Sequence, residues 1–347
     1  MKIAVVLYNL GGPEKNEDIK KFLFNLFNDP MIISLPTPLR WFLAKLISNR
    51  RAKTAHEIYK HLGGGSPLLQ NTIAQARDLN TTLSQTKDHD YKVFVAMRYW
   101  HPMADNVAEQ VKFYQPDEII LLPLYPQFST TTVGSFINVW KRAVDKIDLN
   151  CSTKMICCYP YEQGFIDSIV SSIRKTNHLD DVRDKRILFS AHGLPQKIIN
   201  RGDPYQWQIE QTVNAVVEKI SIKDLDWVVS YQSRVGPLEW IGPSTEEEIV
   251  RAGQDRKSIV IVPIAFVSEH SETLVELDIE YKKYSEIAGV NGFYRIPTVS
   301  VSNEFISGLA RLVNLAHSES NFIISGDVKR ICPNNWKQCP CNEKDTN

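Results

Sequence analysis

Glu272, Glu276 and Glu280 follow one another at four-residue intervals in the stretch EHSETLVELDIEYKKY, residues 269–284. On a helix that spacing sets them on one face, where like charges cost about 0.2–0.5 kcal/mol per pair. A solvated face tolerates such a row. A row leading inward from a cleft has a use for it, because carboxylates bind hard cations and pass protons. The lysines that would neutralise a solvated face arrive only at Lys282 and Lys283. A second stretch, LFSAHGLPQ (188–196), ends a buried apolar run near His192, which is followed by Gly193 and Pro195. An imidazole at a strand end exchanges protons near neutral pH or ligates a metal. A histidine hydrogen-bonded within a turn is the plainer alternative.

Other clusters also bear chemistry. FVAMRYWHP (94–102) puts Arg98, Tyr99 and His101 at another strand end, and SYQSRVGPLEW (230–240) adds Gln232, Arg234 and Trp240. Arginine beside aromatic rings suits a flat anionic ligand, though ordinary packing accounts for any one of them. Cys332, Cys339 and Cys341, in CPNNWKQCPC, point to metal ligation more than to packing. A fourth donor would come from Cys151, Cys157 or Cys158; an unbound, thiol-rich tail is the alternative. Segment 22–53 is rich in large apolar residues, is interrupted by Pro30, Pro36 and Pro38, and ends in Arg50, Arg51 and Lys53. It reads as a core helix, or as an apolar flap against a hydrophobic ligand or a membrane surface.

These residues need a frame that positions strand ends. Apolar, β-branched runs at 3–10, 93–99, 118–125, 153–159, 186–192, 227–233, 258–266 and 293–299 alternate with helical patterns. The helical patterns lie at 16–28, 67–85, 104–114, 134–147, 162–175, 204–220, 244–252, 270–288 and 303–317. Such alternation predicts an α/β fold with parallel sheets flanked by helices. The series VLYNLGGP (6–13), VAMRY (95–99), IILLPLYPQFSTT (119–131) recurs as LFSAHGLP (188–195), VSYQS (229–233), IVIVPIAFVSEHS (259–271). This predicts two similar Rossmann-like halves, 1–150 and 151–301, with a C-terminal helix and cysteine-bearing tail over 302–347. Ligands of such sheets bind at the carboxyl ends of the strands, so a cleft between the halves is the expected site. The chain's 347 residues suit two domains. Its 40 basic and 40 acidic residues balance with no basic block, which argues against nucleic acid. NLGGPE (9–14) lacks the GxGxxG pattern and LGGGSPL (62–68) lacks a P-loop lysine, which disfavours nucleotide cofactors. The start of the chain has no signal-peptide pattern and no apolar run reaches ~18 residues, so a cytoplasmic protein, or one peripheral on the inner membrane face, is expected.

Taken together, LFSAHGLPQKIINRGDPY, YQSRVGPLEWIGPST and VPIAFVSEHSETLVELDIEY resemble the signature stretches of ferrochelatases. NLGGPE, LGGGSPL, MRYWHP and LYPQFSTTT resemble that family's N-terminal half, and the likeness runs over about 1–315. It implies insertion of ferrous iron into protoporphyrin IX, the last step of haem synthesis, with His192 and Glu272 as the active-site pair meeting the Fe2+ substrate. It implies a proton or cation path along Glu276 and Glu280. Leu10, Arg51, Tyr59, Arg98, Tyr99, Tyr125 and Trp240 fall on the porphyrin cleft, and 22–53 on an apolar, membrane-facing lip. Relatives that use coproporphyrin carry Tyr where this chain has Leu10, which favours protoporphyrin IX. Some members hold a 2Fe–2S cluster. The animal pattern is interrupted here by Thr130, whereas a bacterial pattern resembles Cys158 with Cys332, Cys339 and Cys341. The competing readings are a chelatase for coproporphyrin or another divalent metal, a porphyrin or haem carrier without catalysis, and an iron–sulfur redox protein.

Overall fold

Runs such as KIAVVLYN and SIVIVP are apolar on both alternating faces, which suits strands covered by helices on each side. In a computed structural model, which describes residues 1–85, 88–176 and 184–341, these runs build parallel sheets. The chain divides into two compact units. The first holds β1 (Lys2–Asn9), α1 (Ile19–Phe27), α2 (Thr37–Lys60), α3 (Leu68–Ser84), β2 (Asp90–Met97), α4 (Ala104–Tyr114), β3 (Glu118–Pro123), α5 (Ser135–Lys146) and β4 (Ser152–Cys158). The second holds α6 (Gln163–Lys175), β5 (Lys185–His192), α7 (Gln196–Asn200), α8 (Tyr205–Ile220), β6 (Trp227–Gln232), α9 (Thr245–Gln254), β7 (Ser258–Pro263), α10 (Lys282–Ile287) and β8 (Phe293–Arg295).

The sheet orders are β2-β1-β3-β4 and β6-β5-β7-β8, with β9 (Ile323–Ser325) added in parallel to β4 at the edge of the first. The matched motifs therefore occupy matched strands: β3 ends at Pro123 as β7 ends at Pro263. Each is followed by a π-helical segment, Thr130–Gly134 in one unit and Glu272–Tyr281 in the other. Gly11 and Gly193 close the two equivalent first turns. Gly11 has φ +86°, and a Cβ there would lie 3.0 Å from the Trp100 nitrogen.

The division of the chain differs from the expected boundaries. It falls after Cys158, not near 150, and 302–347 is not a separate body. α11 (Asn303–Ser318) contributes to both units, Leu309–Arg330 belongs to the first and Ile331–Cys339 to the second. β9 has three residues, too few for alternation to show, which is why the sequence reads that region as tail. The last residues of the predicted tail, 342–347, lie outside the described residues.

Segment 22–53 also resolves differently. Pro30 and Pro36 lie in the non-helical stretch that separates α1 from α2, whereas Pro38 stands in the first turn of the 24-residue α2, where a missing N–H costs nothing. This helix buries only Ala44, Ser48 and Tyr59, and the segment exposes Leu35, Leu39, Trp41, Phe42 and Leu46. α2 is thus not a core helix, whereas Phe22 and Leu23, in α1, are buried in the core.

Candidate active site

β5 runs between β6 and β7, and its register sets His192 beside Gln232. The helix carrying the carboxylate row begins after β7, so parallel strand ends gather residues that are about 40 to 80 positions apart in sequence. His192 Nδ1 lies 2.8 Å from Glu272 Oε2, and the imidazole remains 39% exposed. The Tyr205 hydroxyl donates to the His192 carbonyl at 3.0 Å and steadies the strand end. Burial opposes charge on Glu272, but His192, with smaller help from His270 and Ser233, holds its carboxyl down to about 2. Burial likewise disfavours the imidazolium, and Glu272 overcomes it, raising His192 above its ordinary value. His270 plays a lesser part: its Nδ1 faces the Ser268 carbonyl at 3.0 Å and its Nε2 is 3.9 Å from Glu272.

Glu276 has the opposite electrostatics. Burial and the neighbouring negative Glu272 push its carboxyl up to about 7. Three donors orient it: the Ser233 N–H at 2.9 Å, the Ser233 hydroxyl at 2.6 Å and Gln232 Nε2 at 3.0 Å. Gln232 is itself turned by Ser190, whose hydroxyl donates to Gln232 Oε1 at 2.8 Å. Ser233 has φ +61°, a left-handed conformation that costs a non-glycine residue on the order of 1–3 kcal/mol. That strain aims both its donors at one carboxylate. Trp240 is fixed by a bridge to Pro195 and approaches Gly193, where a Cβ would meet its ring at 3.4 Å.

The sequence predicts an α-helix over 270–288. Instead the row is carried by a ten-residue π-helix, with i→i+5 bonding, and α10 follows it. Wide turns of this kind concentrate at functional sites. Glu280 is exposed, and no hydrogen bond among the described residues extends the track to it. Ser233, Tyr281 and Glu246 are missing from the sequence-derived site. The Tyr281 hydroxyl reaches Glu276 Oε1 at 3.3 Å and Glu246 Oε1 at 3.0 Å. The one available signal for Ser233 was its alignment with Tyr99 in the repeat.

The first unit repeats the frame without the chemistry. Leu10 stands in the position matching His192, and Thr132 in that matching Glu272. Arg98 and Tyr99 were expected at a ligand, but they are engaged in a buried network. Arg98 Nη2 pairs with Asp29 at 2.8 Å, and the Tyr99 hydroxyl donates to the same carboxylate at 2.6 Å. Ser135 also donates to Asp29 and receives Arg98 Nε at 2.6 Å. Tyr99 is fully buried and Arg98 nearly so, and both hold the segment around Asp29. Leu10 and Tyr59 share a cluster with Tyr99 and Trp100, Arg51 lies over the Phe27 ring at 5.9 Å, and Tyr125 lies 6.5 Å from the Tyr8 ring. An open pocket of about 870 Å³ in this unit is lined by Lys20, Lys21, Phe24, Trp41, Lys45 and Trp100 among others, and by none of the predicted porphyrin contacts.

Cys158 and Cys341 belong to the first unit, Cys332 and Cys339 to the second, and all are buried. Cys157 Sγ lies 3.5 Å from Cys158 and 3.3 Å from Cys341. Among the described residues, no group of three or more His, Cys, Asp or Glu is already arranged to hold a metal.

Two parallel sheets of matching strand order, one ending in a histidine–carboxylate couple with a second carboxylate behind it, form a fold that solved metal chelatases share. SirB from Bacillus subtilis with Fe3+ shares the fold at a TM-score of 0.53 and 11% identity, covering 92% of this chain and 97% of that one. The sirohydrochlorin chelatase SirB from Bacillus subtilis subspecies spizizenii in complex with cobalt gives 0.50 at 10% identity, covering 93% and 99%. The ferrochelatase family model matches residues 2–317. The chain is 52% identical to the ferrochelatase of Pelagibacter ubique over 343 residues, covering 98% of this chain and 99% of the relative. It is 50% identical to that of Rickettsia felis over 342 residues, covering 98% of each. The chain belongs to the ferrochelatase family and is an enzyme, a metal chelatase of haem biosynthesis. The family match stops at His317, before the cysteine-bearing tail.

Proposed function

We propose that the chain inserts ferrous iron into protoporphyrin IX at His192 and Glu272, with Glu276 receiving the displaced protons. The observation that carries this reading is the line of polar groups in which His192 is bonded to Glu272 and the Ser233 hydroxyl donates to Glu276 while lying 3.5 Å from Glu272. Metallation removes two pyrrole protons and exchanges the water ligands of the iron substrate for four nitrogens. With Nδ1 held by Glu272, the imidazole presents Nε2 as base, and Glu272 stabilises the imidazolium that forms. Glu276, with a carboxyl near 7, is matched to take that proton in turn. Trp240 grips the macrocycle rim, and a cleft that bends the ring exposes its lone pairs. Leu10, partly buried among apolar and aromatic side chains, supports protoporphyrin IX over the more heavily carboxylated coproporphyrin. The test is anaerobic mixing with protoporphyrin IX and ferrous iron while following the Soret band. Binding without insertion identifies a carrier; faster insertion into coproporphyrin, or of cobalt, identifies the other chelatases.

The exposed apolar side chains of 22–53, with Lys45, Arg50 and Arg51 nearby in sequence, support peripheral contact with an anionic membrane. Leu39→Ser with Phe42→Ser is expected to release most of the protein from sedimenting anionic vesicles. Equal sedimentation of variant and parent removes the membrane role.

Cys158, Cys332, Cys339 and Cys341 are buried soft donors of the type that holds a 2Fe–2S cluster. Such a cluster would supply electron-transfer chemistry that metal insertion does not need. Anaerobically purified protein is expected to contain acid-labile sulfide with iron. Cys158→Ser should lose both, and Cys157→Ser should keep them. Sulfide-free parent protein overturns the assignment.

A further inference from the structure

The ring of Tyr281 packs in the core with Leu188, Ile249, Ile261 and Leu277. Its hydroxyl lies between two carboxylates, 3.3 Å from Glu276 Oε1 and 3.0 Å from Glu246 Oε1. A phenol has one proton and donates to one acceptor at a time. Both contacts are hydrogen bonds only when one carboxyl is protonated and donates to the phenol oxygen. Both carboxylates are partly buried; Glu276 stands beside the negative Glu272, whereas Glu246 stands in the first turn of α9, where the helix N-terminus favours its charge.

We propose that Tyr281 and Glu246 are the exit of the proton track, carrying each pyrrole proton from Glu276 to solvent. This rests on the reading of Glu276 as proton acceptor. In one step the Glu276 carboxyl gives its proton to the Tyr281 oxygen while Tyr281 gives its own to Glu246 Oε1. Tyr281 is neutral before and after, and Glu246 then releases the proton to water. Two passages clear both pyrrole protons. A free tyrosinate has no part in this, since burial and the two carboxylates push the ionisation of Tyr281 far above its ordinary value. Glu280, where four-residue spacing extends the row, lies outside this chain of bonds.

Tyr281→Phe keeps the packed ring and removes the hydroxyl; Glu246→Gln keeps the shape and removes the base. Each is expected to lower kcat about tenfold, less than the 10²–10⁴ of a primary acid–base group, with porphyrin KM unchanged. The solvent deuterium isotope effect on kcat should rise in both, and the double variant should be no slower than either single one. Parental kcat and isotope effect in a folded Tyr281→Phe protein, or additive losses in the double variant, overturn the proposal. If Tyr281→Phe does not fold, Glu246→Gln decides by the same two readouts. Glu276→Gln separates the two claims. If it is slow while Glu246→Gln and Tyr281→Phe are normal, only the exit fails. If it too is normal, the reading of Glu276 fails with it.

Discussion

His192→Ala is expected to lower iron insertion by about 10³-fold, within the range of a primary acid–base group, while protoporphyrin IX still binds. The substitution removes the base and also the imidazole that holds the Glu272 carboxyl down. The half-buried Glu272 carboxyl is then drawn upward by desolvation and by Glu276, and it becomes a poorer partner for iron or proton. Tyr205 bonds the His192 backbone and not its ring, so the strand end keeps its place. Insertion is read from the Soret band and porphyrin binding from fluorescence. Near-parental insertion by the variant removes His192 from the chemistry; loss of porphyrin binding instead makes it a binding residue.

Glu276→Gln is expected to slow turnover by roughly 10–100-fold with porphyrin affinity little changed. The substitution also changes the pH profile. Glu276 accepts a proton only when ionised, and its carboxyl is pushed up to about 7, so the rate of the parent should rise with pH through about 7 and fall below it. His192, raised by Glu272, must likewise be neutral to act as base, so both groups lose function in the same direction on acidification. The glutamine variant keeps only the imidazole limb. Its orientation is preserved, because its side-chain oxygen can still accept from Ser233. An unchanged rate and profile would return the carboxylate row to a solvated helix face.

The structure sorts that row. Glu272 is the partner of His192, Glu276 is the held carboxyl behind it, and Glu280 is exposed. Equal spacing in sequence could not separate them, because periodicity reports which face a residue occupies and not what faces it. The same limit applies to Arg98 and Tyr99. An arginine beside a tyrosine at a strand end gives no sign of Asp29, about 70 residues earlier, which accepts from both.

The sequence by itself determined the alternation of strands and helices, the duplicated order of motifs, and the strand end that carries His192. Each depends on local apolar patterning or on residues close together in the chain. The tertiary structure decided which side chains meet. The parallel order β6-β5-β7 brings His192, Gln232 and the start of the carboxylate helix together, a consequence of pairing between strands distant in sequence. It also decided that the row is wound as a π-helix, that Ser233 takes a left-handed conformation, and that Tyr281 spans Glu276 and Glu246. Those features arise where hydrogen bonds to distant partners outweigh local backbone preference, so no window of sequence reveals them.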